Sequence, residues 1–253
     1  MKLKIGLGCS KLGNYIDYRI NYNKYHKILQ HSYKRGIQFY DTANIYRNGN
    51  SEIILGKYFL KKKKVLSTKF GYEKKKFSFI LKLFNLENHY ILKDYEEMKV
   101  SVFKSLERLG INYIDILFWH SSYNFTKLQM SNAFKTLNFF KKNGILKFSG
   151  ISLSNVNNIK DIIDLNNFDY LQISLKDYLL LSKSLKNKII KKKIKLIINQ
   201  FFYNLNLDKV GRDKHISKHY NLLKKEKNID YILIGTNNTK HLDYFLNFIR
   251  EIL

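Results

Sequence analysis

Four polar side chains that could transfer protons lie at or just after the predicted ends of consecutive strands. Asp41 directly follows an apolar run, and Tyr46 comes five residues later in the same strand-to-helix loop. Lys69 follows the next predicted strand, and His120 follows the fourth. Because catalytic residues of α/β proteins collect at the carboxyl ends of parallel strands, we expect these four side chains to meet on one face of the fold.

This set of residue types suits the reduction of a carbonyl group. Addition of a hydride to the carbon leaves an alkoxide that Tyr46 could protonate, although a phenol with a reference pKa of about 10 is a reluctant acid. A Lys69 ammonium nearby would lower that pKa, and Asp41 would be the counterion of the buried lysine. His120 would hydrogen-bond the carbonyl oxygen. Since none of these residues is redox-active, the hydride must come from a cofactor.

The stretch 36–56 has to position the first two of these residues. Its apolar run 37–40 predicts a buried strand. Asn48-Gly49-Asn50 is typical of a loop. Ser51 stands where the N-cap of the following helix would lie.

Strand and helix patterns alternate along the whole chain. Strands are predicted at 3–9, 37–40, 65–68, 113–119, 145–152, 168–173, 194–199 and 231–234. Helices are predicted at 23–34, after Ser51, and at 94–109, 125–142, 157–165, 177–190, 214–227 and 239–252, with a long basic loop at 71–93. Eight such units predict one domain over 1–253, a (β/α)8 TIM barrel with parallel strands. The competing doubly wound sheet usually carries Gly-x-Gly-x-x-Gly, which fails here after Gly6-Leu7-Gly8.

The charge of the chain raises the question of nucleic-acid or membrane binding. Its 253 residues carry a formal net charge of +26, with a sequence pI of about 9.8. The abundance of Lys, Asn, Ile, Tyr and Phe, with no Pro, favours compositional drift in an AT-rich genome as the explanation of this charge. Nucleic-acid binding would require surface aromatic rings beside the lysines, whereas the rings here fall mainly inside apolar runs. We therefore expect neither a nucleic-acid nor a membrane partner.

Cysteine and histidine usage indicates a reducing compartment without a metal site. Cys9 is the only cysteine, so an intrachain disulfide and a cysteine metal cluster are excluded. No apolar segment approaches the ~20 residues of a membrane span, and the first apolar run is too short for a signal peptide. The cytoplasm is the predicted location. His215 and His219 could share a helix face, but no third metal ligand has suitable spacing.

A series of short motifs extends over nearly the whole chain, from about residue 3 to 250. In chain order they are Phe39-Tyr40-Asp41-Thr42-Ala43 with Tyr46, Gly49-Asn50-Ser51-Glu52, Leu55-Gly56, Ser67-Thr68-Lys69, Ser105-Leu106-x-Arg108-Leu109, Tyr113-Ile114-Asp115, His120, Gly150-Ile151-Ser152, Ser154-Asn155, Gln172 and Gly235-Thr236. In this combination the sequence resembles the aldo-keto reductase family.

The resemblance implies a catalytic tetrad and a site for NADPH at the mouth of the barrel. In contrast to the family, the sequence has no obvious N-terminal hairpin. The tetrad residues would be Asp41, Tyr46, Lys69 and His120, with Tyr46 as the general acid. The cofactor residues would be Ser154, Asn155 and Gln172 at the nicotinamide carboxamide, and Gly235, Thr236, Asn237 and His241 at the adenosine end. The family often has Lys or Arg where Gly235 or His241 stands, so NADH is the alternative cofactor.

The implied activity is NAD(P)H-dependent reduction of a small aldehyde or ketone by a monomer or small homo-oligomer. The alternative is a catalytically silent barrel that binds a dinucleotide and acts as a regulatory or scaffolding subunit. The intact tetrad favours the enzyme. The residue that stacks on nicotinamide stays open between Asn199, Gln200 and Phe201.

Overall fold

The core of the fold is a closed barrel of eight parallel strands, consecutive barrel strands being joined by crossovers that contain a helix. The computed structural model describes residues 3–59, 64–75, 89–121, 125–153, 159–165, 167–202 and 208–251. The strands are β1 (Lys4–Gly8), β2 (Phe39–Asp41), β3 (Val65–Phe70), β4 (Tyr72–Lys74), β5 (His89–Ile91), β6 (Ile114–His120), β7 (Leu146–Ser152), β8 (Tyr170–Ser174), β9 (Lys195–Asn199) and β10 (Ile229–Ile234). The helices are α1 (Tyr22–Lys34), α2 (Asn50–Phe59), α3 (Tyr95–Leu109), α4 (Lys127–Lys142), α5 (Ile159–Leu165), α6 (Leu175–Leu180), α7 (Lys183–Lys191), α8 (Lys209–Leu223) and α9 (Thr239–Glu251).

Strand pairing confirms the predicted (β/α)8 barrel. The hydrogen-bonded order is β1-β10-β9-β8-β7-β6-β3-β2, and β1 also pairs with β2, which closes the ring. In the strand register, Leu7 of β1 is thus the partner of Tyr40 in β2 on one side and of Ile234 in β10 on the other. All eight predicted strands agree with the observed barrel strands to within two residues at each end, which is the usual uncertainty of strand boundaries.

Aromatic and aliphatic side chains fill the inside of the barrel. One buried cluster there comprises Phe39, Ile116, Phe118, Tyr170, Ile197 and Leu233. Two strand glycines make room for its rings: a Cβ would lie 2.6 Å from Phe39 at Gly6 and 2.5 Å from Phe118 at Gly150. The interior is therefore a packed core, which leaves the rims of the barrel for a binding site.

The region 71–93, predicted as a long irregular loop, contains a β-hairpin instead. β4 and β5 pair antiparallel, with Tyr72 opposite Ile91, and residues 76–88 lie outside the described part. Strands of three residues are too short to produce a clear alternation of polar and apolar residues, which is why the sequence pattern missed them.

Two predicted helices have other bounds than expected. The helix predicted at 177–190 is divided into α6 and α7, because Leu181 is extended and Ser182 caps α7 by accepting a hydrogen bond from Leu185 N at 3.3 Å. The helix predicted at 214–227 begins earlier, where Asp208 accepts from Gly211 N at 2.7 Å, and ends at Leu223. The predicted start of α5 at 157 and end of α9 at 252 lie outside the described residues.

Ser51 does not cap α2, contrary to the prediction. A short 3-10 helix, Tyr46–Gly49, precedes α2, and Ser51 lies within the first turn of α2. Its buried hydroxyl donates to the Cys9 carbonyl oxygen at 3.0 Å and lies 2.8 Å from the Thr42 hydroxyl. Ser51 therefore ties the loop after β1 to the loop after β2.

A buried ion pair anchors the 3-10 helix that begins at Tyr46. Glu52 is fully buried and accepts hydrogen bonds from Arg108 Nε at 2.6 Å and Thr68 Oγ1 at 2.5 Å, so it joins α2, α3 and β3. Arg108 also packs beneath Gly49, where a Cβ would lie 2.8 Å from Arg108 Cδ and where φ is +89°. This close approach requires glycine, and it fixes the segment that carries Tyr46.

None of the helices in the part of the chain described here is long and apolar enough to cross a membrane.

Candidate active site

The barrel brings the four predicted catalytic residues to one rim. Asp41 ends β2, Lys69 lies in β3 and His120 ends β6, and these three strands are neighbours in the barrel. Tyr46 begins the 3-10 helix that follows β2. Lys69 is the second-last residue of its strand, whereas the sequence placed it just after the strand. All four therefore belong to the carboxyl end of the barrel, where TIM-barrel enzymes carry their active sites.

The polar residues of the site point to the inside of the barrel, on the same strand faces as the apolar core residues below them. Side chains two positions apart point to the same face of a strand. Phe39 is thus followed by Asp41, Phe118 by His120, Tyr170 by Gln172 and Ile197 by Asn199. A layer of polar side chains consequently lies directly above the apolar interior.

Lys69 and Asp41 form a buried ion pair. Lys69 Nζ lies 2.7 Å from Asp41 Oδ2, and the two side chains are 1% and 5% exposed. Lys69 Nζ also donates to the Thr42 carbonyl oxygen at 2.8 Å and lies 5.0 Å from the centre of the Tyr46 ring. The ammonium therefore faces both the carboxylate and the tyrosine.

Two residues not predicted to act on Asp41 hold its second oxygen. Asp41 Oδ1 accepts from Ser67 Oγ at 2.7 Å and from Gln172 Nε2 at 3.0 Å, and Gln172 Oε1 accepts from Ser152 Oγ at 2.8 Å. The place of Ser67 in the site could have been predicted from the sequence, because Ser67 lies two residues before Lys69 and so on the same face of β3. The contact with Gln172 comes from across the barrel, at a separation of 131 residues, and has no local signal.

Burial outweighs the lysine in setting the acidity of Tyr46. Burial raises the pKa of the Tyr46 phenol, and the Lys69 ammonium offsets only part of that rise. The expected net lowering is therefore wrong for the ligand-free site. Burial by itself would lower the pKa of Lys69, but the Asp41 carboxylate and Tyr46 raise it above its usual range. Tyr46 thus keeps its proton and Lys69 its charge at neutral pH.

His120 is held as a neutral imidazole. Burial, together with the Lys69 ammonium and His89, lowers the pKa of His120 to about 3. The ring of Tyr72 packs edge-on against it with centroids 5.3 Å apart, so the unpredicted hairpin borders the site. The Nδ1 atom of His120 is buried and has no hydrogen-bond partner within the described part of the chain. A neutral imidazole can donate one hydrogen bond to a substrate oxygen.

The low pKa of His120 has a measurable consequence. An unfolded chain protonates this imidazole near its reference pKa of about 6.5, whereas the folded protein does so only near 3. Between these values the unfolded state binds more protons, so the free energy of unfolding falls as the pH falls. We expect this acid sensitivity in urea unfolding curves, and a smaller one in His120→Gln.

The control is His241→Gln, the same substitution at an exposed histidine. Turnover should show no histidine titration between about pH 5 and 8. A limb near about pH 6.5 that disappears in His120→Gln would contradict the assignment of a neutral imidazole.

Several buried polar atoms around this rim have no hydrogen-bond partner among the residues that the structure describes. They are Asn44 Oδ1, Arg47 Nε, Asn48 Oδ1, His120 Nδ1 and Asn199 Oδ1. Buried polar groups in folded proteins are normally paired, so unpaired ones on one rim are suited to a polar ligand. The donor set fits a ligand that brings its own amide or hydroxyl groups, such as a nicotinamide nucleotide.

The structure describes five of the seven residues assigned to the cofactor. Ser154 and Asn155 lie outside the described residues, and Gln172 is fully buried beside Asp41. The remaining four lie in the turn between β10 and α9 or in the first turn of α9, namely Gly235, Thr236, Asn237 and His241. Space is open around Gly235, where a Cβ would meet nothing within 4 Å.

Two of the three candidates for the nicotinamide-stacking residue remain. Phe201 is 2% exposed, and its ring packs against Phe245 in the outer core with centroids 5.6 Å apart. It is therefore unsuited to stacking on a ligand. Asn199 and Gln200 remain, and Gln200 is exposed in the left-handed backbone region, with φ of 52°.

The two histidines of α8 interact with the backbone. His215 Nε2 lies 2.8 Å from the Phe201 carbonyl oxygen, and His219 Nδ1 lies 3.0 Å from the carbonyl oxygen of His215. These contacts give both imidazoles a structural role at the loop after β9.

Comparison with known families agrees with this geometry. The model of the aldo/keto reductase family matches residues 4–238. The chain belongs to this family. The match includes the strands and loops that carry the four residues of the rim, so the predicted family is confirmed.

Curated relatives of this aldo/keto reductase share about a third of the aligned residues. Norsolorinic acid reductase B of Aspergillus parasiticus is 33% identical over 134 residues, which are 49% of this chain and 32% of that protein. The NADH-specific methylglyoxal reductase of Escherichia coli is 29% identical, covering 63% and 49%. Aldo-keto reductase yakc [NADP(+)] of Schizosaccharomyces pombe is 30% identical, covering 62% and 44%. The alignments thus span between a third and a half of these relatives.

Solved structures share the fold over nearly the whole chain. An aldo-keto reductase from Bacillus halodurans superposes with a TM-score of 0.74 at 17% identity, covering 97% of this chain and 86% of the other. The glycerol dehydrogenase of Gluconobacter oxydans gives 0.72 at 13% identity, covering 96% and 85%. At such identities the likeness establishes the barrel fold alone.

Proposed function

We propose that this aldo/keto reductase is an NAD(P)H-dependent oxidoreductase that reduces an aldehyde or ketone to the alcohol. The observation that carries the proposal is the buried Lys69–Asp41 ion pair beside Tyr46. Desolvation of two charges is costly, so a buried ion pair contributes little net stability. Its position at the mouth of the barrel therefore suggests a functional role. Here it places a fixed positive charge next to the only phenol among the four residues of the rim.

Tyr46 is the proposed general acid. Its phenol is neutral in the ligand-free site, so a proton is available for the alkoxide that forms on the substrate. As the proton leaves, the Lys69 ammonium stabilises the developing phenolate, and Asp41 keeps that ammonium charged. Positioned proton transfer of this kind typically contributes ~10²–10⁴-fold to the rate.

His120 and Gln172 orient the participants. The neutral His120 imidazole donates a hydrogen bond to the carbonyl oxygen, which directs that oxygen toward Tyr46. Gln172 and Ser67 fix the Asp41 carboxylate, so that its other oxygen points to Lys69. A bound nicotinamide nucleotide supplies the hydride.

The cofactor residues are proposed by position in the fold. Ser154, Asn155 and Gln172 would bind the nicotinamide carboxamide, and Gln172 still has a second amide hydrogen for that purpose. Gly235, Thr236, Asn237 and His241 would hold the adenosine end, where the positive end of the α9 dipole favours a phosphate.

NADPH is the proposed cofactor, with NADH as the alternative. Relatives of similar identity carry names that specify NADH in one case and NADP(+) in another. Family membership therefore leaves the nucleotide open.

A titration with each nucleotide, followed by nicotinamide fluorescence, tests this proposal. We expect binding of both, tighter for NADPH, and consumption of the bound nucleotide when aldehydes are added. Failure to bind either nucleotide would overturn the proposal. Tight binding without turnover of any carbonyl compound would instead support a regulatory or scaffolding role.

A further inference from the structure

The residue after the proposed general acid has an unusual backbone conformation. Arg47 has φ 52° and ψ 40°, and Asn48 has φ 58° and ψ 34°, both in the left-handed region that side chains other than glycine rarely adopt. Two hydrogen bonds to the loop after β1 hold this turn: Asn48 Nδ2 donates to the Tyr15 carbonyl oxygen at 3.0 Å, and Asn50 Nδ2 to that of Asn14 at 2.7 Å. The fold therefore imposes a specific direction on the Arg47 side chain.

The partly buried Arg47 guanidinium has no acidic partner in the described part of the chain. Its Cζ atom lies 4.6 Å from the centre of the Tyr15 ring, and its Nε atom is buried without a hydrogen-bond acceptor among the described residues. Among the described residues no carboxylate lies within ion-pair distance of it. A guanidinium stacked on a ring is oriented with its donors in one plane, which matches the two oxygens of a carboxylate.

The neighbouring acidic groups are already occupied. Asp41 is paired with Lys69 at 2.7 Å, and Asp17, in the same loop as Tyr15, is paired with Arg19 at 2.6 Å. No residue described around the turn can therefore neutralise Arg47. Ile16, the next residue after Tyr15, is 60% exposed, so the loop after β1 also presents an apolar side chain to the solvent.

We propose that Arg47 binds the carboxylate of an anionic carbonyl substrate, so that the substrate class is aldehydes or ketones that carry a carboxylate. This inference rests on the proposed reductase function. The carboxylate provides the acceptor that Arg47 lacks, and Tyr46, one residue away, protonates the oxygen at the other end of the same molecule. Arg47 would thus select substrates that carry a negative charge, and the tetrad would act on their carbonyl group.

A matched pair of compounds tests the inference. 4-Carboxybenzaldehyde and its methyl ester differ in the negative charge while keeping a similar aldehyde. For each protein the measured quantity is the ratio of kcat/KM for the acid to kcat/KM for the ester at low ionic strength, where an exposed charge is least screened. We expect a ratio of about ten or more in the wild type, from a hydrogen-bonded charge pair that lowers KM.

Three variants separate the guanidinium from general electrostatics. Arg47→Gly removes the cation and suits the left-handed backbone, so it should fold, and its ratio should fall to about one. Arg47→Lys keeps the charge and should retain much of the preference. Lys74→Gln removes one exposed positive charge from the hairpin beside the site and should change the ratio by less than about twofold.

The outcomes distinguish the two proposals. A wild-type ratio near one, or a ratio unchanged in Arg47→Gly, overturns the role of Arg47 and leaves the reductase function intact. The role of Arg47 in substrate binding is also overturned if Arg47→Gly lowers the affinity for NADPH while the acid-to-ester ratio of kcat/KM stays unchanged. Arg47 would then bind the nucleotide. If neither compound is reduced, the reductase function is decided by nucleotide binding and by turnover of other carbonyl compounds. The role of Arg47 is then decided by calorimetry on protein saturated with NADP⁺: equal affinities for the acid and the ester, or an acid-to-ester affinity ratio that is unchanged in Arg47→Gly, overturn it.

Discussion

Tyr46→Phe is expected to reduce turnover by a factor of about 10²–10⁴ without changing the affinity for the nicotinamide nucleotide. The substitution removes the phenolic proton and little else. The ring can remain where it is, 5.0 Å from Lys69 Nζ, and the Lys69–Asp41 pair does not depend on the hydroxyl. The loss should appear in kcat, because the proton is transferred after the substrate has bound.

The matched control is Tyr113→Phe, which removes the hydroxyl of a 43% exposed tyrosine just before β6. Tyr113 lies at the opposite end of β6 from His120, so the Tyr113→Phe variant should retain wild-type turnover. Substantial turnover in Tyr46→Phe would show that another donor, such as His120 or a water molecule, protonates the alkoxide. Loss of nucleotide binding in the same variant would mean that Tyr46 acts on the cofactor.

Lys69→Met should destabilise the protein and abolish turnover together. Asp41 is 4% exposed, and removing the ammonium leaves its carboxylate without the ion pair, with the described hydrogen bonds from Ser67 and Gln172. Breaking a buried ion pair in this way typically costs about 3–5 kcal/mol of the free energy of unfolding. The midpoint of urea unfolding should fall accordingly, with little change in the slope.

The double variant Lys69→Met with Asp41→Asn separates stability from catalysis. Without a buried carboxylate to neutralise, the site should recover much of the lost stability, because a buried pair contributes little net stability once both charges are removed. Turnover should not return, since no cation remains beside Tyr46.

A surface ion pair provides the stability control for these variants. Lys141 and Asp169 are 2.7 Å apart, but their side chains are 42% and 33% exposed. Lys141→Met should therefore change the free energy of unfolding by less than about 1 kcal/mol. A Lys69→Met protein that is as stable as Lys141→Met would mean that the carboxylate is protonated or solvated in the folded state.

The fold, and the meeting of the four proposed catalytic residues at one rim of the barrel, could be predicted because they depend on local patterns. Asp41, Lys69 and His120 each follow a short apolar run, and eight such runs at regular spacing already indicate a barrel. Strand boundaries agreed to within two residues for the same reason. The hairpin at β4 and β5 was missed because three-residue strands carry too little periodic signal.

The environment of these residues depends on contacts that are remote in the chain. Gln172 reaches Asp41 across 131 residues, and the barrel packing that buries Tyr46 reverses the expected direction of its pKa shift. Ser51, expected as an N-cap, bonds to Cys9 instead, because the loops after β1 and β2 meet there.

Residue types and their spacing were thus enough to predict the (β/α)8 barrel and to place the four proposed catalytic residues at strand ends, because hydrophobic periodicity and strand-end positions are properties of short segments. The aldo/keto reductase family followed from the series of short motifs. The surroundings of Arg47, the low pKa of His120 and the hydrogen bonds that orient Asp41 could not be predicted from the sequence. Each of them depends on which side chains lie nearby after folding, and burial and pairing arise only when distant segments pack together.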